Sequence, residues 1–486
     1  MKGSLDARKR WWALYVLCAG VLMIVLDTTI VNVALPSIRE DLRFTETSLV
    51  WVVNAYMLTF GGFLLLGGRL GDLYGHRRLF LTGLTLFTLA SLACGLSNTQ
   101  ALLVTARAVQ GLGGAVVTAV ALSLIMDLFS TPADRAKAMG IYGFVCAGGG
   151  SIGVLLGGFL TSTLSWHWIF LVNLPIGVVV YALCVVLLPK GHGAHAGARL
   201  DVAGAVTVTS ALLLAVYAVV NGNEAGWGST QTLGLLAAAV VLLALFLTIE
   251  ARARAPLVPL AMFWLRNLST ASVMGVLWSA AMFAWFFISA LYMQLVLGYS
   301  AMQVGLSFLP ANLIMAAFSL GLSARIVMRF GLRAPLAAGL LLAAIGLLLF
   351  ARAPIGGSFV ADVLPGMILL GLGAGVALNP VLLAAMSEVA PSESGLASGV
   401  VNTAFMMGGA LGLAVLASLA AARTHELGLA VAQSREALNS GYQLAFLVGA
   451  VFAAAAAVLG ALVIRTRGLP GKAEGAANDP AIAEHN

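Results

Sequence analysis

Long apolar runs dominate the chain, and short segments between them hold nearly all of its charge. An apolar helix of about 20 residues crosses the roughly 30 Å hydrocarbon layer of a bilayer. Runs of that length lie near residues 12–35, 48–68, 79–97, 102–126, 138–161, 167–188, 202–221, 230–250, 268–296, 303–324, 334–351, 361–385, 398–420 and 441–464. The pattern predicts an all-α polytopic membrane protein of about fourteen transmembrane helices.

A glycine-punctuated, cation-rich turn, Gly68-Arg69-Leu70-Gly71-Asp72-Leu73-Tyr74-Gly75-His76-Arg77-Arg78, closes the second run. A fainter copy, Arg325 to Arg333, closes the tenth, with Arg69 matched by Arg325, Tyr74 by Phe330, Gly75 by Gly331 and Arg77 by Arg333. Repetition of one turn in both halves points to a duplicated bundle, as in many secondary transporters. The displacement is eight runs where a six-helix repeat would give six, so two extra helices are expected between the halves. The expected division is a six-helix bundle over 1–189, a two-helix insert with its linkers over 190–267, a second six-helix bundle over 268–467 and a disordered tail over 468–486.

Basic residues test this layout, because cytoplasmic loops hold an excess of them. With the N-terminus inside, only Arg39, Arg43, Arg352, Arg423 and Arg435 of the 26 fall outside, and Arg107 lies within a run. The formal charge of +7 is therefore read as a topology signal and not a nucleic-acid footprint. Hydrophobic residues make up 61% of the chain and charged ones 9%, against roughly 25% charged in soluble domains. Cys18, Cys94, Cys146 and Cys184 all fall in runs without metal-like spacing and read as packing residues. His192 and His195 sit in a Gly/Ala linker without a third ligand and read as solvated. The first run is too long for a signal-peptide core and is expected to stay in the mature protein.

Of the 19 acids, Asp27 alone lies well inside a run, as Arg107 does among the bases. An ionised group in hydrocarbon costs several kcal/mol, so it faces a cavity or a partner. Asp27 is about eight residues and Arg107 about five from the outer ends of their runs, which at 1.5 Å per residue gives similar depths and makes a pair geometrically feasible. Burial favours the neutral acid and a cation within about 4 to 6 Å favours the carboxylate. Conditional protonation of that kind suits a proton-coupled carrier, while a permanent structural ion pair is the plainer alternative. On the cytoplasmic side, Asp72 and Asp127 share a face with Arg69, Arg77 and Arg78, a charge lattice able to latch one conformation; in the second copy Met328 replaces the acid.

Glycines cluster within runs, as in Gly148 to Gly158, Gly371 to Gly375 and Gly408 to Gly412. They suit close helix approach in lipid, either as static packing or as surfaces that rock. Gly148-Gly149-Gly150 and Gly371-Leu372-Gly373 lack the Lys-Ser/Thr of a phosphate loop, which excludes an ATP-driven pump. No catalytic assembly, metal site or cofactor is expected, and a proton gradient is the expected driving force.

These motifs together resemble the major facilitator superfamily, and within it the fourteen-span drug:proton antiporter family. The turn at 68–78 resembles the superfamily's loop motif. Leu26-Asp27-Thr28-Thr29-Ile30-Val31-Asn32-Val33-Ala34-Leu35-Pro36 resembles the first-span signature of the family, and Arg107-Ala108-Val109-Gln110-Gly111 its fourth-span motif. The segment Ser165 to Gly177 resembles its entrance to the sixth span. The resemblance implies a major facilitator fold with cytoplasmic termini in the bacterial inner membrane, monomeric, exporting lipophilic or amphiphilic compounds in exchange for protons. It implies proton coupling by Asp27, Arg107 and Gln110, and a gating motif of Gly68, Arg69, Asp72, Gly75, Arg77 and Asp127. Two departures stand out: Val154 occupies the place of the proline usual in the fifth-span antiporter motif, which predicts a straighter helix. In the thirteenth run Ala404-Phe405-Met406-Met407-Gly408-Gly409 carries none of the family's charge.

The second half has no charge well inside a run but many aromatic and Met residues, which suit adaptable contact. The residues read as lining a substrate cavity are Asn32, Tyr56, Tyr292, Gln294, Asn312, Asn379, Asn402, Phe405 and Met406. The expected function is export of neutral, zwitterionic or monocationic lipophiles by alternating access, of the multidrug resistance type. A dedicated exporter or flippase of one metabolite or lipid, a nutrient symporter and a non-transporting membrane sensor remain open alternatives.

Overall fold

The computed structural model describes residues 7–129, 131–188, 201–253, 256, 260–318, 322–389, 394–426 and 434–464. The linker with His192 and His195, the tail from 468 and the side chains of Arg69, Asp72 and Cys146 lie outside what it describes. Every described apolar run is helical. The first half comprises α1 (Ala7–Leu42), α2 (Glu46–Tyr74), α3 (His76–Gly95), α4 (Gln100–Leu128), α5 (Pro132–Thr163), the single turn α6 (Trp168–Leu171) and α7 (Asn173–Leu187). Two helices follow, α8 (Val202–Ala225) and α9 (Thr230–Arg252). The second half comprises α10 (Arg266–Leu291), α11 (Ala301–Ala317), the short α12 (Ser323–Phe330), α13 (Arg333–Phe350), α14 (Leu364–Met386), α15 (Ser394–Glu426) and α16 (Arg435–Val463). Among the described residues twelve helices are long and apolar enough to cross a membrane, and Ile152–Thr163 and Ala301–Ala317 are shorter apolar stretches.

Local sequence sets the starts of these helices. Thr45 and Ser48 form a capping box at α2, and Ser300 and Gln303 form one at α11. Thr99, Thr131, Asp201, Ser229 and Ser434 cap α4, α5, α8, α9 and α16 with their side-chain oxygens, satisfying N–H groups that have no intrahelical partner. With Val154 where the antiporter motif has proline, α5 keeps its backbone bonds and runs unbroken for 32 residues.

Packing divides the helices. α1 lies against α4, α5 and α7, and α3 and α2 both lie on α4; in the second half α10 lies on α14, α15 and α16, and α13 on α14 and α16. The halves meet along α2 with α15 and along α5 with α11. Between α2 and α15, Asn54 Nδ2 donates to the Ala410 carbonyl at 3.0 Å, and between α1 and the turn after α10, Gln294 Nε2 donates to the Val33 carbonyl at 2.9 Å. α8 packs on both α2 and α15, and α9 packs on α8. Only 17% of α9's apolar window is buried, so in a membrane protein this helix faces lipid.

The turn seen twice in the sequence carries a positive-φ glycine both times. Gly75 (φ 91°) joins α2 to α3, and Gly331 (φ 75°) joins α12 to α13, both in backbone space that side chains rarely enter. Two residues on, Arg77 Nη2 donates to the Val185 carbonyl at 2.7 Å in the last turn of α7, while Arg333 Nε donates to the Ile464 carbonyl just past α16. Each arginine thus satisfies a carbonyl at the C-terminal end of its bundle's final helix, where a cation also meets the negative end of the dipole.

Candidate functional site

Asp27 and Arg107 meet in the core of the first bundle. Asp27 on α1 is 0% exposed and Arg107 on α4 is 1% exposed. Arg107 Nη1 donates to Asp27 Oδ2 at 2.6 Å. The same Nη1 donates to Gln110 Oε1 at 2.7 Å, one turn on, and Nε donates to the Val52 carbonyl on α2 at 2.9 Å. The guanidinium carbon stands 4.3 Å from the Tyr56 ring centroid and 5.6 Å from that of Phe170, within cation–π range. The other carboxylate oxygen, Oδ1, accepts from Gln110 Nε2 at 2.7 Å and from Asn173 Nδ2 at 3.1 Å. Ser91 Oγ ties the shell together, accepting from Asn173 Nδ2 at 2.9 Å and Gln110 Nε2 at 3.1 Å while donating to the Phe170 carbonyl at 2.9 Å.

Five elements therefore converge on one carboxylate. α1 supplies the acid, α4 the base and Gln110, α2 a carbonyl and a ring, α3 the serine, and the first residue of α7 the asparagine. Close approach of α4 to α2 depends on Gly111, where a Cβ would stand 2.3 Å from the Tyr56 carbonyl oxygen. On the far side of α1, Gly149, Gly153 and Gly157 of α5 form a ladder against Val25, Leu26, Thr29 and Ile30, the residues flanking Asp27. An ion pair so enclosed is costly unless further hydrogen bonds serve both partners, and here both carboxylate oxygens and the Nε and Nη1 of the guanidinium have them.

The family model of the Major Facilitator Superfamily matches residues 17–413 of the chain, more than half its length. The chain belongs to the Major Facilitator Superfamily. Curated relatives of this superfamily chain include the puromycin resistance protein of Streptomyces alboniger, 39% identical over 84% of the chain and 81% of the relative. The cephamycin export protein of Amycolatopsis lactamdurans is 39% identical over 83% of each, and the lincomycin resistance protein of Streptomyces lincolnensis is 38% identical over 84% of each. Among solved structures, an auto-inhibited POT family peptide transporter superposes with a TM-score of 0.66 at 15% identity, covering 95% of this chain and 98% of its own. A bacterial homologue of the lysosomal transporter Spinster, inward-facing and unoccupied, gives 0.66 at 15% identity over 96% and 100%. At that identity the likeness speaks for the fold. The chain is thus a multi-pass protein of the bacterial inner membrane, in a family of transporters with antibiotic-resistance and export relatives.

Within this Major Facilitator Superfamily chain, Asp27, Arg107, Gln110 and Tyr56 come together as one cluster. Ser91, Asn173 and Phe170 complete it, although sequence reasoning gave them no role; Asn173 and Phe170 stand inside the quoted Ser165 to Gly177 segment, whereas Ser91 carries no signal within an apolar run. At the turn, Asp127 Oδ2 pairs with His76 Nδ1 at 2.9 Å and Arg77 reaches the end of α7, while the side chains of Arg69 and Asp72 lie outside the described residues. Gly68 faces open space.

The residues read as a cavity lining lie on several elements of both halves. Asn32 is buried on α1, with Nδ2 3.4 Å from the Thr28 and Thr29 carbonyls. Tyr292 is buried in a π-helical turn (Tyr292–Val296) and donates to the Pro354 carbonyl at 2.9 Å, so its hydroxyl serves that structural contact. Gln294 spans the two halves through Val33, and Asn402 is exposed, bonded to the Ser398 carbonyl of its own helix. Phe405 stands edge-on to Phe283 at 5.9 Å, and Met406 lies against Gly61 of α2. Asn312 is buried and Asn379 half-buried.

Proposed function

We propose that the protein is a proton-coupled exporter of lipophilic neutral, zwitterionic or monocationic compounds that works by alternating access, with Asp27 as the proton carrier. The observation that carries this reading is the Asp27–Arg107 pair, held at 2.6 Å with both side chains almost wholly buried. Arg107 keeps contacts that do not depend on Asp27: the Val52 carbonyl, Gln110 Oε1 and the Tyr56 face. A proton arriving on Asp27 Oδ2 breaks one charge-assisted hydrogen bond and leaves the guanidinium otherwise anchored. The local charge then changes from neutral to positive at a fixed place, which biases how α1 sits against α4 and α5. The names of the resistance and export relatives support export as the direction of transport.

The arrangement of the halves, which meet on two flanks through small residues and a few polar ties, supports alternating access. Motion of one bundle against the other would expose the site to either side in turn, with Arg69, Asp72, Gly75, Arg77 and Asp127 near the hinge of the cytoplasmic face. Reconstituted in proteoliposomes with an imposed pH gradient, wild type should export a monocationic lipophilic dye uphill. Asp27→Asn, which keeps shape but cannot release a proton, should fall to passive leak while remaining folded. Wild-type flux in that variant would remove Asp27 from the coupling step.

A further inference from the structure

Among the described residues the second bundle has no counterpart of the buried ion pair, yet it keeps buried N–H donors without acceptors. On α10, Trp278 (3% exposed) and Trp285 (1%) are seven residues apart and share a face; on α11, Asn312 is 5% exposed. Trp278 Nε1, Trp285 Nε1 and Asn312 Nδ2 have no hydrogen-bond partner among the described residues. The Trp285 ring stands 5.7 Å from that of Phe308, and Phe308 is one turn before Asn312, so indole and carboxamide flank the same ring. Phe308 stacks on half-buried Phe286 at 5.3 Å, and half-buried Phe283 meets Phe405 at 5.9 Å.

The chemistry of this group is one-sided. All three orphaned atoms are donors, and each buried donor left without an acceptor costs about 1–3 kcal/mol. Aromatic rings beside them offer flat apolar area with no charge. We propose that Trp285 and Asn312, with Trp278 deeper along α10, form a substrate subsite for carbonyl or ether oxygens on aromatic or conjugated lipophiles, whose ring plane rests on Phe283, Phe286 and Phe405. The subsite rests on the exporter reading and adds the class of cargo: acceptor-bearing planar compounds, their oxygen end in the second bundle and any cationic end toward Asp27. A cation gains nothing from three donors, so orientation follows from chemistry.

The test is binding of two ring-matched probes, 1-aminoanthraquinone and 1-aminoanthracene, to the purified full chain in nanodiscs by equilibrium dialysis. Sites built to hydrogen-bond a ligand reject the analogue that lacks the group, so wild type should prefer the quinone by about tenfold or more. Trp285→Phe and Asn312→Leu, which remove a donor and keep bulk, should each narrow the preference several-fold, and Asn312→Ser, which keeps a donor, should preserve most of it. Equal affinity of the two probes in wild type, or a ratio unchanged in the leucine variant, would overturn the proposal. Should Trp285→Phe not fold, Asn312→Leu against Asn312→Ser decides alone. The measurement involves no gradient: Asp27→Asn with normal flux removes the coupling reading and leaves the ratio intact, whereas a lost ratio with normal coupling removes only the subsite.

Discussion

Arg107 is held by more than its counter-ion, and this sets what its substitution should do. A lysine in its place retains charge but loses the fork that serves Asp27, Gln110 and Val52 together. Arg107→Lys is expected to keep partial pH-driven flux and Arg107→Ala little, measured in the same proteoliposomes; equal flux in all three proteins would make the arginine passive. Asn173 is a positioning residue by its 3.1 Å bond to Asp27 Oδ1. Asn173→Leu removes a donor to the carboxylate and leaves Arg107 in place, so pH-driven flux should fall several-fold while folding persists, and unchanged flux would leave the amide a structural role. The charged members of this cluster were legible because a lone acid or base in hydrocarbon demands an explanation. Ser91 and Asn173 were not, because neutral polar residues are common in membrane helices and only folding shows which of them meet.

Between elements, the contact that most constrains the site is the glycine ladder of α5 on α1. At Gly153 a Cβ would stand 2.1 Å from Thr29 Oγ1 and 2.9 Å from the Leu26 carbonyl. Gly153→Ala must push the helices apart beside Asp27; overpacking of this kind costs about 1–3 kcal/mol, visible as a lower melting temperature in detergent together with reduced coupled flux. An unchanged melt and flux would mean that α5 is free to shift. The same close packing recurs in both halves: a Cβ on Gly113 would meet the Gly83 carbonyl at 2.9 Å, and one on Gly373 the Gly339 carbonyl at 2.6 Å. Gly83 and Gly339 stand in the register that matches Arg77 with Arg333, so the repeat first seen as a turn extends into the next helix. Helix positions and this repeat were readable because apolar length and glycine punctuation are local properties. The π-helical turns at Tyr292–Val296 and Phe359–Val363 and the break between α6 and α7 depend on tertiary contacts and had no such signal.

For the whole molecule, the charge inventory predicts which compounds leave. Among the described residues of the spanning helices of the two bundles the deeply buried charges are one acid and one base, Glu250 being buried apart from them in the last turn of α9 beside Gly204 of α8, so the interior of the bundles is neutral with both ionised and positive with Asp27 protonated. A dication finds no second carboxylate to offset its desolvation, which costs several kcal/mol per buried ion. Its exchange for one proton also works against the membrane potential by about 2.3 kcal/mol per 100 mV. A monovalent quaternary ammonium compound should therefore be exported faster than a divalent one of matched hydrophobicity, and more so with a potential imposed; equal or faster dication flux would reveal a further acid in the path. The inserted pair bears on where such compounds come from. Thr209 of α8 fits against Gly62 of α2, and at its other end Asn223 donates to the Ser418 carbonyl of α15 at 2.7 Å, so α8 lies along the whole seam between the bundles. The protein is consequently lopsided toward its lipid. With one flank boarded over by α8 and α9 among the described residues, a hydrophobic molecule diffusing in the leaflet is expected to reach the paired bundles from the shore formed by α5 and α11.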